Sequence, residues 1–218
     1  MLNTAHQTPT ADYYNRPRPS ISSLVKPGPN IVLDLGCGAG AMGRNLVSEG
    51  KAVQIIGVEL FAAAAQAASE SYATVHTGDI EEMDLPYSRF FDYIICGDIL
   101  EHLKDPYKIV RIARTWLKDD GVFICSLPNV RYWKVLYRLA FHGSWDYADA
   151  GVLDKTHLRF FTRKSCYQMF HEAGFQINSS RMLISGRRYQ FLNTLTLRVF
   201  EDLFGSQLVI AASKRSHD

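Results

Sequence analysis

Short apolar runs alternate with longer amphipathic stretches over most of this chain. The mostly apolar runs near residues 31–35, 54–58, 73–76, 91–96, 121–126, 177–184 and 207–213 predict strands. The stretches near 41–49, 61–70, 106–117, 163–173 and 192–204 predict helices, and Ala62–Ala68 is built almost wholly from alanine, the strongest helix former. Apolar runs that do not alternate belong to strands covered on both faces. The pattern therefore predicts an α/β protein, a seven-stranded doubly wound sheet with helices on both sides. One segment, Leu127–Phe161, breaks the alternation after the fifth run.

The first run ends in the most telling local sequence. Residues Ile31–Gly40 read Ile-Val-Leu-Asp-Leu-Gly-Cys-Gly-Ala-Gly. Glycines at positions 36, 38 and 40 permit positive φ and, lacking Cβ, let the backbone turn sharply and approach a ligand. The helix from Ala41 then points its N-terminus at that ligand, as at the first crossover of a nucleotide-binding sheet. Gly38–Gly43 also spells G-x-G-x-x-G, which suits a dinucleotide as well as S-adenosylmethionine. Three acids tilt the choice. Asp34 would repel a pyrophosphate, yet can orient the loop amides or hold the amino group of a methionine-like ligand. Glu59 ends the second strand, where a carboxylate accepts hydrogen bonds from ribose hydroxyls, a device that dinucleotide sites share and that marks the fold more than the ligand. Gly78-Asp79-Ile80 follows the third strand, where an acid and an aliphatic side chain can bind an adenine amino group and cover its ring. A plain turn is the competing role for Asp79.

Together with Asp98-Ile-Leu-Glu-His-Leu103, these pieces resemble the class I S-adenosylmethionine-dependent methyltransferases, from about Tyr13 to the last strand. The resemblance implies a Rossmann-like sheet whose last strand, Gln207–Ala212, inserts antiparallel. It implies methyl transfer with S-adenosyl-L-homocysteine as product. It also implies cofactor contacts at Asp34, Gly36, Cys37, Gly38, Gly40, Glu59, Leu60, Asp79, Ile80, Gly97 and Asp98. In related enzymes an N-terminal segment folds over the cofactor, so residues 1–30 are read as an arm with a covering helix near Ile21–Val25. Residues 31–218 are then one domain. Tyr14 and Arg16 are arm residues that can touch the cofactor or merely tether the surface, and polar Met1–Thr10 is expected to be disordered.

Composition narrows the class further. At 218 residues and 47% hydrophobic, the chain suits one domain with a sizeable core. A net charge of +2 leaves no strong nucleic-acid footprint. Cys37, Cys96, Cys125 and Cys166 are dispersed without zinc-site spacing, and read as buried free thiols in a reducing cytoplasm. No run is long enough to span a membrane and the polar N-terminus is unlike a signal peptide, so a cytoplasmic protein is expected.

Methyl transfer needs an acceptor aligned with the methyl carbon, and an oxygen or nitrogen acceptor also needs to lose a proton. Asp98, Glu101 and His102 share one face if a helical turn starts at 98, and two carboxylates with an imidazole there can hold a divalent ion that acidifies an acceptor hydroxyl. The string resembles the E-x-x-E-H of metal-assisted O-methyltransferases, including those of ubiquinone synthesis, which add a later histidine; His157 is the candidate. Metal-free members carry similar strings, and a metal-free site is the preferred expectation. Asp98, His102 and His157 are the catalytic candidates.

Leu127–Phe161 is aromatic and basic, and is expected to overhang the strand ends as an acceptor lid or, alternatively, as a purely structural cap. Within it, Gly151-Val-Leu-Asp-Lys-Thr-His-Leu-Arg-Phe-Phe-Thr162 resembles a bacterial methyltransferase signature associated with cell-surface polysaccharide synthesis. His157 suits a general base, Arg159 an anionic group on the acceptor, and Thr162 a helix N-cap. A small-molecule or saccharide hydroxyl is the expected acceptor. A nicotinamide oxidoreductase is the alternative, although no Tyr-x-x-x-Lys occurs. A non-catalytic cofactor-binding protein is another. Arg131–Phe141 can also form a helix that grazes a bilayer, with ordinary lid packing as the competing reading.

Overall fold

The computed structural model describes residues 18–215. The expectations for Met1–Thr10, Tyr14 and Arg16 lie outside them. The elements are α1 (Pro19–Ser22), β1 (Ile31–Leu35), α2 (Ala41–Ser48), β2 (Gln54–Glu59), α3 (Ala62–Ala68), β3 (Thr74–Thr77) and β4 (Phe91–Gly97). A single 3-10 turn, Leu100–His102, precedes α4 (Pro106–Trp116), β5 (Leu117–Pro128) and α5 (Trp133–His142). The chain continues through α6 (Arg163–Glu172), β6 (Phe175–Leu183), α7 (Arg187–Leu195), α8 (Glu201–Phe204) and β7 (Gln207–Lys214).

The seven strands form one sheet in the order β3-β2-β1-β4-β5-β7-β6. β7 runs antiparallel between β5 and β6, and the other six strands are parallel to one another, as expected. Alternate residues of the central strands feed two cores. Leu33, Leu35, Ile94 and Cys96 face α4 and α6, packing with Ile109, Trp116 and Phe170. Val32, Ile55 and Ile95 face the other way, toward Ile21, Leu46 and Tyr72. All four cysteines are buried and free.

Two boundaries depart from the sequence pattern. β5 starts at Leu117, because Leu117 pairs with Phe91 before a bulge carries the polar stretch 118–120 past the ladder. The expected helix 192–204 is two helices. Leu197 and Arg198 adopt positive φ, 48° and 64°, which stops the first, and the Arg198 amide donates to the Asn193 carbonyl.

Candidate active site

β1, β2 and β4 deliver the glycine loop, Glu59 and Asp98 to one edge of the sheet, at the strand C-termini. Gly36, Gly38 and Gly40 have φ of 69°, 54° and 82°, so the loop is built on conformations that glycine alone adopts cheaply. Gly40 caps α2. Glu59 holds the loop from above: one carboxylate oxygen accepts from the Gly38 amide at 2.9 Å and the other from the Phe61 amide at 2.9 Å. Each oxygen keeps a second lone pair for a ligand hydroxyl. Leu60, beside it, is half exposed at the strand end.

Beneath the loop lies a polar chain that no motif announces. Tyr72 donates to Asp34 Oδ2 at 2.6 Å and accepts from the Gly43 amide at 3.0 Å. A Cβ on Gly43 would lie 2.4 Å from the Tyr72 ring, so the last glycine of G-x-G-x-x-G makes room for this tyrosine. Asp34 is thus engaged below the loop. Burial raises its pKa from 3.8 to about 6, against the lowering effects of Tyr72 and Arg18. Cys37 is also turned inward, filling the space that Gly57 leaves, and burial raises its thiol far above the ordinary range. Its fit to the site is through its backbone.

Asp98 is the second anchor. It has φ of 55° and accepts from Arg18 Nη1 at 2.6 Å, Ser126 Oγ at 2.8 Å and Gln207 Nε2 at 2.6 Å. Gly97 leaves the space for the guanidinium, since a Cβ there would meet Arg18 Nη1 at 2.5 Å. Sequence reading passes over Arg18, one of several cations before the first strand. Ser126 and Gln207 join Asp98 only because β5 and β7 flank β4 in this order. On β3's side, Asp79 accepts from the Glu81 amide at 2.9 Å, which is the turn role, and Ile80 is buried in the larger core.

The helical face shared by Asp98, Glu101 and His102 does not form. The turn begins at Leu100, and the left-handed Asp98 points to Arg18 instead. The group that does form is Glu101, His102 and His157, whose ligand atoms lie within 4.8 Å of one another. Glu101 is 1% exposed, and neither carboxylate oxygen has a hydrogen-bond partner. Burial, with the charge of Asp98, raises its pKa well above the carboxylate range. His157 Nε2 stands 4.0 Å from Glu101 Oε1, while its Nδ1 faces the Val152 carbonyl at 3.1 Å. His102 Nδ1 faces the Thr156 carbonyl at 3.2 Å, and the two imidazoles meet edge to face at 4.8 Å. A carbonyl at Nδ1 fixes the tautomer that leaves Nε2 with its lone pair. Burial lowers the pKa of His102, so that imidazole is neutral at neutral pH.

The insertion is tied down at this cluster. The Leu158 and Arg159 amides both donate to the Glu101 carbonyl, at 2.8 and 3.0 Å. Asn129 is buried and bonds the Asp202 and Gly205 carbonyls, a structural root. Arg159 donates to the Lys104 carbonyl and lines a cavity of about 440 Å³ with Tyr107 and Phe160, on the α4 side of the insertion. Thr162 caps α6 in a capping box with Ser165, as expected.

The donor set suits S-adenosylmethionine: a carboxylate over a glycine loop for hydroxyls and a guanidinium for a carboxylate. Toward a pyrophosphate it is poorly suited, because Asp34, Glu59 and Asp98 stand at the strand ends and Arg18 is paired with Asp98. Comparison with known proteins agrees. A family model described as a methyltransferase domain matches residues 10–180. The ubiquinone biosynthesis O-methyltransferase of Haemophilus ducreyi is 32% identical over 106 residues, 45% of each chain. That of Xanthomonas axonopodis pv. citri is 30% identical over 113 residues, 50% of this chain and 47% of that one. The chain therefore spans about half the length of the curated relatives it matches. A Mesorhizobium loti S-adenosylmethionine-dependent methyltransferase superposes with a TM-score of 0.65 at 16% identity, over 90% of this chain and 96% of that one. An Archaeoglobus fulgidus methyltransferase gives 0.63 at 18%, over 86% and 87%. Both show the fold. By its matched domain, its sheet order and its glycine loop, the chain belongs to the class I S-adenosylmethionine-dependent methyltransferases.

Proposed function

We propose that the chain methylates a hydroxyl oxygen of a small-molecule acceptor. When bound, S-adenosylmethionine supplies an electrophilic methyl group. The roles assigned to the chain's own residues are these. Glu59 accepts the ribose hydroxyls, and Arg18 takes the carboxylate, held in place by Asp98. The backbone of residues 36–40 approaches closely because its glycines lack Cβ. Leu60 and Ile80 flank the adenine and Asp79 its amino group. His157 Nε2 accepts the acceptor's proton, its Nδ1 proton being held by the Val152 carbonyl. His102 orients that imidazole from its edge.

The observation that carries this reading is the buried Glu101 carboxylate without a hydrogen-bond partner, set beside two imidazoles at the foot of the insertion. That same observation favours a second form of the site. Glu101, His102 and His157 fit a divalent cation, which would lower the pKa of an acceptor hydroxyl. Similarity to ubiquinone O-methyltransferases supports a phenolic acceptor, and the Gly151–Thr162 resemblance supports a saccharide. A cytoplasmic setting is supported by four unpaired thiols. Among the described residues no helix is long and apolar enough to cross a membrane. The test is a mass-spectrometric screen of catechols, phenols and saccharides with S-adenosylmethionine, run with and without chelator. A methylated hydroxyl supports the reading. Methylation at nitrogen or carbon alone would overturn it.

A further inference from the structure

Two surface helices are apolar on the wrong side. On α5 only Val135 is buried. Trp133, Leu136, Tyr137, Ala140 and Phe141 recur at i, i+3, i+4, i+7 and i+8, the spacing of a face that a globular helix turns inward. Here that stripe faces outward: Leu136 and Tyr137 are exposed, and Phe141 is 76% exposed. Its rings form a continuous ladder, with Tyr137 and Phe141 centroids 5.1 Å apart. Trp133 packs inward, but the rest of the stripe lacks the ordinary lid packing expected of this segment. On α7 the inversion is plainer. The buried residue is Asn193, while Phe191 and Leu195 are 68% and 67% exposed. Leu197, just beyond, is 86% exposed. The two helices adjoin where Trp133 meets Tyr189, at 5.8 Å between ring centroids.

Charge identifies what suits this face. Residues 131–143 and 187–200 contain six Lys and Arg and no Asp or Glu. Arg131 and Arg198 pair with Asp202 and Glu201, so Lys134, Arg138, Arg187 and Arg188 give the face its positive charge. A second copy of the chain, docked by a two-fold axis, would bring these like charges together. An apolar, aromatic stripe bordered by cations matches the boundary between anionic headgroups and acyl chains.

We propose that the exposed faces of α5 and α7, with the turn at Leu197, dock this protein on the surface of an anionic phospholipid bilayer. The aromatic and aliphatic side chains enter the headgroup boundary, and Lys134, Arg138, Arg187 and Arg188 meet lipid phosphates. The proposal does not depend on the acceptor or on turnover, and it is tested by binding alone.

The full chain is sedimented with sucrose-loaded vesicles of phosphatidylglycerol and phosphatidylcholine in equal parts, and with pure phosphatidylcholine. The bound fraction is expected to be at least ~10-fold higher on the anionic vesicles. A triple variant, Phe141→Ser, Phe191→Ser and Leu197→Ser, lowers it ~10-fold, and Lys134→Glu with Arg138→Glu does likewise. These positions are exposed, so thermal melting and S-adenosylhomocysteine binding stay at wild-type values and report that each variant is folded. Equal sedimentation of the triple variant and the wild type overturns the proposal, because the contact is then a general electrostatic one. Failure of the wild type to bind anionic vesicles also overturns it. So does a dimer in light scattering that the triple variant dissolves without any vesicle binding, which assigns the face to a second copy.

Discussion

Gly36 and Gly143 both sit at positive φ, 69° and 61°. A Cβ on Gly36 would lie 2.0 Å from Ile99 Cδ1, whereas nothing stands within 4 Å of one on Gly143. The first glycine belongs to the loop between β1 and α2, the second to the insertion after α5. Around Gly36 the backbone is crowded by the Ile99 side chain and held by hydrogen bonds from its own amide and the Cys37 amide to the Val58 carbonyl. Around Gly143 the chain is constrained by its own turn alone. The glycine loop, proposed to hold the cofactor, is fixed by close packing, and the insertion, proposed to hold the acceptor, is pinned at a few points such as the Glu101 carbonyl. That division suits a shared chemistry at one end and a variable acceptor at the other.

Substitutions can break this contrast. The largest effect is expected from Gly36→Ala, which adds backbone strain to overpacking and costs about 4 kcal/mol in urea unfolding. A loss below about 1 kcal/mol would show that the loop is as loose as the insertion. Asp34→Asn comes next. Because the folded pKa of Asp34 is raised from 3.8 to about 6, the fold favours its protonated form. That contribution is full below pH ~4 and lost as pH rises through about 6, a difference of about 3 kcal/mol. Unfolding curves of the variant should match wild type near pH 4 and lie above it near pH 7. A parallel offset at every pH would remove Asp34 as the titrating group. His157→Ala should reduce turnover ~10²-fold while S-adenosylhomocysteine affinity is retained. Undiminished turnover takes His157 out of the chemistry. If a cation binds, its affinity should rise with pH, since the raised Glu101 pKa makes binding compete with a proton. Smallest is Gly143→Ala, which meets only the cost of its positive φ, about 1 kcal/mol.

The same contrast governs what the sequence discloses. The strands, the glycine loop and Glu59 are legible because each rests on backbone rules that leave a local imprint: apolar runs, glycines where φ is positive, an acid at a strand end; the antiparallel β7 is legible only through the family resemblance. Tyr72, Arg18 and Gln207 are not legible. They reach Asp34 and Asp98 from 38, 80 and 109 residues away, and no local pattern marks a partner supplied by sheet order. Asp98 misleads because D-x-x-E-H has helical spacing. The left-handed backbone at 98 and three hydrogen-bond donors pull it away from Glu101. His157 is legible through the family resemblance and as a candidate base, and the structure brings it to Glu101 and His102 through the amides of Leu158 and Arg159. In the same way, the sequence of α5 allows either lid packing or contact with a bilayer, and only the burial of its side chains shows which of them are covered.

The most direct measurement is calorimetric titration of the wild type and Glu59→Ala with S-adenosylhomocysteine and, separately, NADH. Wild type should bind S-adenosylhomocysteine and not NADH. Removing the carboxylate proposed to accept two hydroxyl bonds should weaken binding by roughly 100-fold, with some loss of melting temperature because the Gly38 and Phe61 amides lose their acceptor. NADH binding, or equal affinity in the two proteins, would contradict the assignment of the glycine loop and Glu59 to a methyl-donor site.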